Sequence, residues 1–126
     1  MSKKVLVVDD DAMNLKMAEF ILKQDECEVY KAESGMEALL FLKDNKVDLI
    51  LLDIEMPIMS GIKTLEVIKE NKEMANIPVI FLTASADSDT VLEAGKLGAV
   101  DYVTKPFMPN ELIKRVEKVI GFRKYL

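Results

Sequence analysis

Short apolar runs alternate along the chain with longer segments whose apolar residues recur at three- and four-residue intervals. The central runs, such as residues 48–53, are apolar almost throughout and do not alternate with polar residues. Continuously apolar strands are typical of a parallel sheet whose two faces are both covered. The pattern predicts five strands, at residues 5–8, 28–32, 48–53, 77–83 and 99–104.

The intervening segments have the periodicity of helices. Residues 12–24, for example, place Met13, Met17, Phe20 and Ile21 at helical spacing. We interpret the eight methionines of the chain as core-filling residues. Five strands alternating with five helices predict an α/β fold with a doubly wound parallel sheet, in which the second strand lies at an edge. The predicted helices span residues 12–24, 35–45, 61–72, 87–98 and 110–122.

Length and charge narrow the class of protein. A chain of 126 residues suits one domain, predicted to span residues 1–126. The formal net charge of −5 argues against direct binding to nucleic acid or to an anionic membrane. No apolar run approaches the length of a membrane span. The single cysteine, Cys27, cannot form an internal disulfide, so we expect a structural thiol and a cytoplasmic location.

The chain contains no histidine, and this restricts its chemistry. Serine–histidine triads and histidine-based zinc sites are excluded, together with the commonest general base. Any reaction must therefore use Asp, Glu, Lys, Thr, Ser or a bound metal ion.

Polar residues follow the predicted strands at the edge where a doubly wound sheet binds its ligands. Asp9 and Asp10 follow the first strand, Asp53 ends the third, Thr83 ends the fourth and Lys105 follows the fifth. Each residue alone has an ordinary structural explanation, so their joint placement is the informative observation. The sequence thus predicts that three carboxylates, a hydroxyl and an ammonium group converge at one edge.

These groups favour phosphate chemistry with a hard metal ion. Carboxylates that lie close together repel one another and either take up protons or bind a cation. Oxygen ligands without His or Cys favour Mg²⁺ over zinc. Lys105 and Thr83 suit a phosphoryl group, so the set fits phosphoryl transfer to Asp53 as the nucleophile. We assign Asp11 a separate role as the N-cap of the first helix.

Four motifs of the chain resemble the receiver domain of bacterial response regulators, the phosphoacceptor module of two-component signalling. They are the acidic "VVDDD" (7–11), "LLDIEMPIMSG" (51–61) with the D-x-x-M-P-x-x-x-G signature, "VIFLTA" (79–84) and "DYVTKPF" (101–107). The resemblance covers essentially the whole chain. The chain is similar to the chemotaxis regulators that consist of a single receiver domain. It implies a flavodoxin-like three-layer sandwich with a five-stranded parallel sheet of order 2-1-3-4-5.

The resemblance also implies a role for each site residue. Asp53 would carry the phosphoryl group as an acyl phosphate. Asp10 and Asp53 would bind Mg²⁺ directly, Asp9 through water and Glu55 through its backbone carbonyl.

Further implied roles concern signalling by the phosphorylated state. Thr83 would move to bond the phosphoryl group, and Lys105 would pair with it. Tyr102 would turn inward as an aromatic switch, although it is also explained as a half-buried strand residue. The Lys105–Pro106 bond is expected to be cis. The fourth helix, fifth strand and fifth helix would then present a changed face.

The implied partners follow from the same resemblance. The resemblance implies a phosphohistidine as the phosphoryl donor. Because this chain has no histidine, the donor would be a histidine kinase, a phosphotransfer protein or a small phosphodonor. The signal would pass to a downstream target protein or to an output domain absent from this chain, with phosphorylation-dependent dimerisation through the changed face. The protein would not be an enzyme beyond catalysing its own phosphorylation and dephosphorylation.

Two alternatives use a similar fold. A haloacid-dehalogenase-type phosphatase would also use Asp53 as nucleophile, but its motif has an Asp where this chain has Glu55. A flavin-binding electron carrier needs a hydroxyl- and glycine-rich phosphate loop after the first strand, where this chain has "DDDAMN" (9–14). Both alternatives therefore fit the motifs less well.

Overall fold

The strands form a single parallel sheet in the computed structural model, which describes residues 2–85 and 88–121. The strands of this part of the chain are β1 (Lys4–Val8), β2 (Glu28–Ala32), β3 (Leu49–Asp53), β4 (Val79–Thr83) and β5 (Asp101–Thr104). Their order in the sheet is β2-β1-β3-β4-β5, and every adjacent pair is parallel. The predicted fold class and strand order are confirmed.

Helices connect successive strands and cover both faces of the sheet. They are α1 (Ala12–Gln24), α2 (Gly35–Asp44), α3 (Gly61–Glu70), α4 (Ser88–Lys96) and α5 (Pro109–Ile120). Leu6 and Val8 point into the core that β1 shares with α2 and α3, whereas Val5 and Val7 pack against α1 and α5. This alternation of side chains in a strand explains why the apolar run of β1 is unbroken.

Several predicted boundaries are wrong by one or two residues. β4 begins at Val79 and not at residue 77, because Pro78 has no N–H to donate and only its carbonyl oxygen accepts a bond, from the Ile50 N–H. α3 ends at Glu70, and Asn71 closes the last turn by donating its N–H to the Ile68 oxygen. The predicted start of the fourth helix, Asp87, lies outside the described residues.

The core face of α1 differs from the apolar spacing noted in the sequence. Of the residues noted there, Ile21 is buried, whereas Met13 and Phe20 are 65% and 68% exposed. The stripe that faces the sheet contains Leu15, Ala18 and Ile21. A helix of this length accommodates two apolar stripes, and only one can face the sheet. The interpretation of the methionines as core filling is accordingly wrong for Met13, Met17, Met36 and Met108, although it holds for Met56 and Met74.

Two smaller predictions concern Asp11 and Cys27. The Asp11 side chain accepts a hydrogen bond from the Met13 N–H at 2.9 Å, which confirms it as the N-cap of α1. Cys27 has a buried, reduced thiol that packs in the core between the sheet, α1 and α5. In the described part of the chain, no helix is both long and apolar enough to cross a membrane.

Candidate functional site

The candidate site lies at the carboxyl edge of the sheet, where the neighbouring strands β1, β3, β4 and β5 end. Asp53 is the last residue of β3 and lies opposite Leu82 in the β3–β4 register. Asp9 follows β1, and its N–H donates to the Ala32 oxygen at the end of β2. The backbone N–H of Lys105 donates to the Thr83 oxygen at 2.8 Å, which ties the end of β5 to the end of β4. The parallel register therefore brings the predicted residues to one edge.

Asp53 is completely buried at the centre of this edge. Its Oδ1 accepts two hydrogen bonds, from the Glu55 N–H at 3.1 Å and from Lys105 Nζ at 3.1 Å. The Glu55 bond closes a tight turn of the kind that Asp forms with the backbone two residues later. One oxygen of the carboxylate is therefore held in a fixed orientation by the protein.

Lys105 joins the two buried carboxylates. Its Nζ lies 3.4 Å from Asp9 Oδ2 as well as 3.1 Å from Asp53 Oδ1, and the side chain is only 17% exposed. Asp9 is completely buried, and its Oδ1 accepts the Asp11 N–H at 2.9 Å. A single ammonium group thus compensates two carboxylates that carry twice its charge.

The carboxylates form a cluster with the chemistry of a divalent-cation site. Asp9, Asp10 and Asp53 each offer an oxygen, and these three atoms lie within 4.8 Å of one another. Asp10 is the exposed member, on the solvent side of the two buried ones. Among the described residues, Asp53 Oδ2 is a buried oxygen that no protein group donates to. An all-oxygen set with an unpartnered carboxylate oxygen fits Mg²⁺ well.

Burial and neighbouring charge shift the pKa values of the buried pair. Burial raises the pKa of Asp53 to about 7, opposed by the hydrogen bond from Lys105 and assisted by the negative charge of Asp9. Burial alone would lower the pKa of Lys105. The hydrogen bond and charge of Asp53, together with those of Asp9, outweigh burial, so the pKa of Lys105 is raised. Lys105 therefore stays cationic while Asp53 gains a proton readily.

Thr83 lies at the site edge, but its hydroxyl is bonded locally. Its Oγ1 donates to the Ser85 oxygen at 2.8 Å and accepts the Ser85 N–H at 3.2 Å. The side chain is nearly buried, at 3% exposure. The structure therefore places Thr83 beside the predicted site without joining its hydroxyl to Asp53.

The other predicted residues occupy the rim. Tyr102 is partly buried, lies opposite Phe81 in the β4–β5 register and packs against the core on the α2–α3 side of the sheet. The Lys105–Pro106 peptide bond is cis. The Glu55 side chain is exposed, and its backbone N–H is already used by Asp53.

Sequence reasoning missed how closely the backbone packs behind Asp53. A Cβ atom added to Gly61 would lie 2.1 Å from the Asp53 backbone oxygen and 2.7 Å from Ile54 Cα. Gly61 also donates its N–H to the Ile54 oxygen at 2.8 Å. The last position of the D-x-x-M-P-x-x-x-G motif thus requires glycine, because the backbone of Asp53 and Ile54 leaves no room for a Cβ atom. A match to the motif identifies this glycine but does not give the reason for it.

Fold and site together define a class of protein: a doubly wound α/β domain with a buried aspartate, a bridging lysine and a cation-binding acid cluster at the carboxyl edge of its sheet. The chain matches the response regulator receiver domain family over residues 5–117. It belongs to that family and is a phosphoacceptor receiver domain.

Curated relatives and solved structures agree with this assignment. The phosphate regulon transcriptional regulatory protein PhoB of Pseudomonas aeruginosa is 38% identical over 94% of this chain and 52% of that protein. Transcriptional regulatory protein SrrA of Staphylococcus aureus is 33% identical over 95% of this chain and 48% of that protein. This chain therefore spans about half the length of these relatives.

Solved structures match over nearly their full length. Chemotaxis protein CheY4 of Vibrio cholerae has a TM-score of 0.90 at 29% identity, covering 94% of this chain and 99% of that one. The receiver domain of sensor histidine kinase PA1611 from Pseudomonas aeruginosa has a TM-score of 0.86 at 26% identity, covering 95% and 98%. That structure is described as having a magnesium ion coordinated in its active-site cleft.

Receiver domains are signalling domains that act with histidine kinases and downstream output domains. The haloacid-dehalogenase-type alternative finds no support in these comparisons.

Proposed function

We propose that this chain is a single receiver domain, spanning residues 1–126, in which Asp53 is the phosphoacceptor. The phosphoryl donor is the phosphohistidine of a histidine kinase or phosphotransfer protein, and the reaction depends on Mg²⁺. The observation that carries the proposal is the environment of Asp53: it is completely buried, bonded to Lys105 at 3.1 Å, and clustered with two further carboxylates. These contacts favour phosphoryl transfer over a purely structural role for the aspartate.

In the transfer step, one carboxylate oxygen of Asp53 attacks the phosphorus atom of the donor. The P–N bond to the donor imidazole breaks as the new P–O bond forms, and the imidazole leaves with its electron pair and takes up a proton. The hydrogen bond from Lys105 favours the ionised, nucleophilic form of Asp53 against the effect of burial, and Lys105 then neutralises charge on the transferred group. The Glu55 N–H fixes the orientation of the carboxylate.

Asp9, Asp10 and Asp53, with the backbone carbonyl of Glu55, are the groups that would hold Mg²⁺. When bound, the ion supplies positive charge that offsets the carboxylates and the phosphoryl oxygens. The unpartnered Asp53 Oδ2 supports this assignment from the chain itself. The magnesium ion in the related PA1611 receiver domain supports it by analogy.

Phosphorylation would act on the protein through Thr83, Lys105 and Tyr102. Thr83 would exchange its bonds to Ser85 for one to the phosphoryl group, and Tyr102 would turn inward behind it. The face formed by α4, β5 and α5 would then change its affinity for a target protein, for an output domain absent from this chain, or for a second phosphorylated copy. The single cysteine of the chain, with its buried thiol outside any disulfide, supports a reducing, cytoplasmic setting.

Phosphorylation in vitro tests the acceptor. With Mg²⁺ and acetyl phosphate or phosphoramidate, intact mass spectrometry should detect one added phosphoryl group on the wild-type chain. Asp53→Asn should abolish the addition, whereas Asp44→Asn, a change at an exposed position, should leave it intact. A phosphoryl group found on the Asp53→Asn variant would refute the assignment.

A matched pair of substitutions tests the metal shell. Asp10 and Asp11 are adjacent and exposed, but only Asp10 belongs to the carboxylate cluster. Asp10→Ala should weaken Mg²⁺ binding, measured by calorimetric titration, far more than Asp11→Ala. Equal losses would show that the metal ligands are misassigned.

An enzyme assay tests the proposed limit of its chemistry. Incubated with small phosphoesters, the protein should release no more than one equivalent of phosphate per chain. Sustained release would instead favour a phosphatase.

A further inference from the structure

Large exposed apolar side chains form three groups on the described surface, in addition to Met108 at the start of α5. One group lies on α1, a second lies on α4 and just before β5, and a third lies on α2 and in the loop after β3. The members are, respectively, Met13, Met17 and Phe20; Leu92 and Val100; and Met36, Leu40 and Ile58. The third group lies away from the α4–β5–α5 face discussed above.

This third group lines one continuous groove, here called the α2 groove. A cavity of about 190 Å³ is bounded by Met36, Met56 and Ile58, and a neighbouring cavity of about 240 Å³ is bounded by Met36, Leu40 and Met74. Met36 borders both, so the two cavities join along α2. Contiguous apolar surface of this kind marks a binding surface more often than scattered apolar residues do.

Ile58 is the most unusual residue of the groove. Its side chain is fully exposed, and its backbone has φ of +70°, in the left-handed region that β-branched residues strongly disfavour. The position therefore combines backbone strain with apolar exposure, and neither stabilises the isolated chain. Contact with another apolar surface would remove the exposure.

The charges at the two ends of the groove indicate what that surface is. Glu33 borders the cavity beside Ile58, and Lys43 borders the cavity beside Leu40. Met36, Leu40 and Lys43 are four and three residues apart, so they share one face of α2. The groove thus has an apolar centre, an acidic end and a basic end. A copy of the groove turned by a two-fold rotation presents the opposite charge at each end.

We propose that the α2 groove is the contact surface for a second copy of this chain. The two α2 helices run antiparallel, Met36, Leu40 and Ile58 form the apolar centre, and Glu33 of each copy faces Lys43 of the other. The contact does not use Asp53, so it is independent of the proposed phosphorylation. Only one helix face and one loop residue of each copy take part, so we expect a small interface and a weak, concentration-dependent dimer.

Sedimentation velocity over a range of protein concentrations tests the apolar centre. The wild-type chain should shift from monomer toward dimer as its concentration rises. Ile58→Asn should weaken association about tenfold, and Asn tolerates the positive φ, so the fold is retained. Leu92→Asn, at a side chain that is 61% exposed on α4, tests the α4–β5–α5 face instead and should leave association of the unphosphorylated chain unchanged.

Charge reversal tests the antiparallel arrangement. Glu33→Lys and Lys43→Glu should each weaken self-association by about tenfold, because like charges then meet at both ends of the dimer. An equimolar mixture of the two variants should associate as a heterodimer at least as well as the wild type, since opposite charges meet again.

Three results would overturn the proposal. They are a wild-type chain that stays monomeric up to millimolar concentration, a dimer that Leu92→Asn disrupts and Ile58→Asn does not, and a mixture of charge variants that fails to associate.

Discussion

The buried charge of Asp53 should make the metal-free domain less stable as the pH rises. Asp53 is completely buried, and burial, with the charge of Asp9, raises its pKa from 3.8 to about 7 even though Lys105 opposes the shift. In the unfolded chain the same carboxyl group is in water and has its ordinary pKa. The folded state therefore binds this proton more tightly than the unfolded state does.

The size of the effect follows from that difference. Each pKa unit corresponds to about 1.4 kcal/mol, so a shift of about three units corresponds to roughly 4 kcal/mol. Because the folded pKa is the higher one, this stabilisation is complete below about pH 4 and is lost as the pH rises through about 7. The loss is steepest between these two values, at up to about 1.4 kcal/mol for each pH unit.

Asp53→Asn isolates this contribution, because the amide oxygen still accepts the bonds from Glu55 and Lys105 while the charge is removed. Urea unfolding in EDTA at several pH values gives the free energy of unfolding of both chains. The free energy of unfolding of the variant, relative to that of the wild type, should increase with pH, by roughly 4 kcal/mol between about pH 4 and pH 8. Asp44→Asn, at an exposed position, should stay within about 0.5 kcal/mol of the wild type.

Magnesium gives a second readout of the same charge. At about pH 8, adding Mg²⁺ at ~100 times its dissociation constant should stabilise the wild type by about 2.7 kcal/mol and the Asp53→Asn variant by much less. If the difference in unfolding free energy between the wild type and Asp53→Asn in EDTA does not change with pH, the reasoning is refuted. That result would show that the Asp53 charge is already compensated in the folded metal-free chain.

Four further substitutions should change the stability in directions that the structure determines, each measured by urea unfolding. Lys105→Met should cost roughly 3 kcal/mol at about pH 8 and less at about pH 5, because Asp53 is then protonated; equal losses would contradict the ion-pair explanation. Gly61→Ala should prevent folding or lower the free energy of unfolding by more than about 3 kcal/mol, because its Cβ would meet the Asp53 oxygen. Gly95→Ala lies in α4 with open space around the new Cβ, so it should raise the free energy of unfolding by about 0.5–1 kcal/mol. Ile58→Asn should gain about 1 kcal/mol by relieving the positive φ, and a loss would mean that Ile58 packs against the folded monomer.

The sheet was predictable because a strand that is buried on both faces has a continuous run of apolar residues in the sequence. Every residue of β3 and β4 is buried, and the first four residues of each strand form an unbroken apolar run. The face of α1 was less predictable, since Met13 and Phe20 have the same helical periodicity as the stripe that packs on the sheet. Periodicity identifies a helix but does not say which of two apolar stripes is buried.

The residues of the site were predictable for a different reason. Parallel strands end at one edge, so Asp9, Asp53 and Lys105 had to lie near one another once the strands were assigned. Their hydrogen bonds were not predictable, because they depend on loop conformations that side-chain identity does not determine. The bonds of the Thr83 hydroxyl to Ser85 and the left-handed φ of Ile58 are examples.

Those unpredicted bonds suggest how a change at Asp53 would reach α4 under the proposed function. Lys105 touches Asp9 and Asp53 through its side chain and Thr83 through its backbone N–H, so it connects β1, β3 and β4. The Thr83 hydroxyl bonds both the N–H and the carbonyl oxygen of Ser85, in the segment that leads to α4. A phosphoryl group on Asp53 that drew this hydroxyl toward itself would remove both bonds at once. The coupling between site and surface would then begin with a local exchange of hydrogen bonds at Ser85 that needs no rearrangement of the sheet.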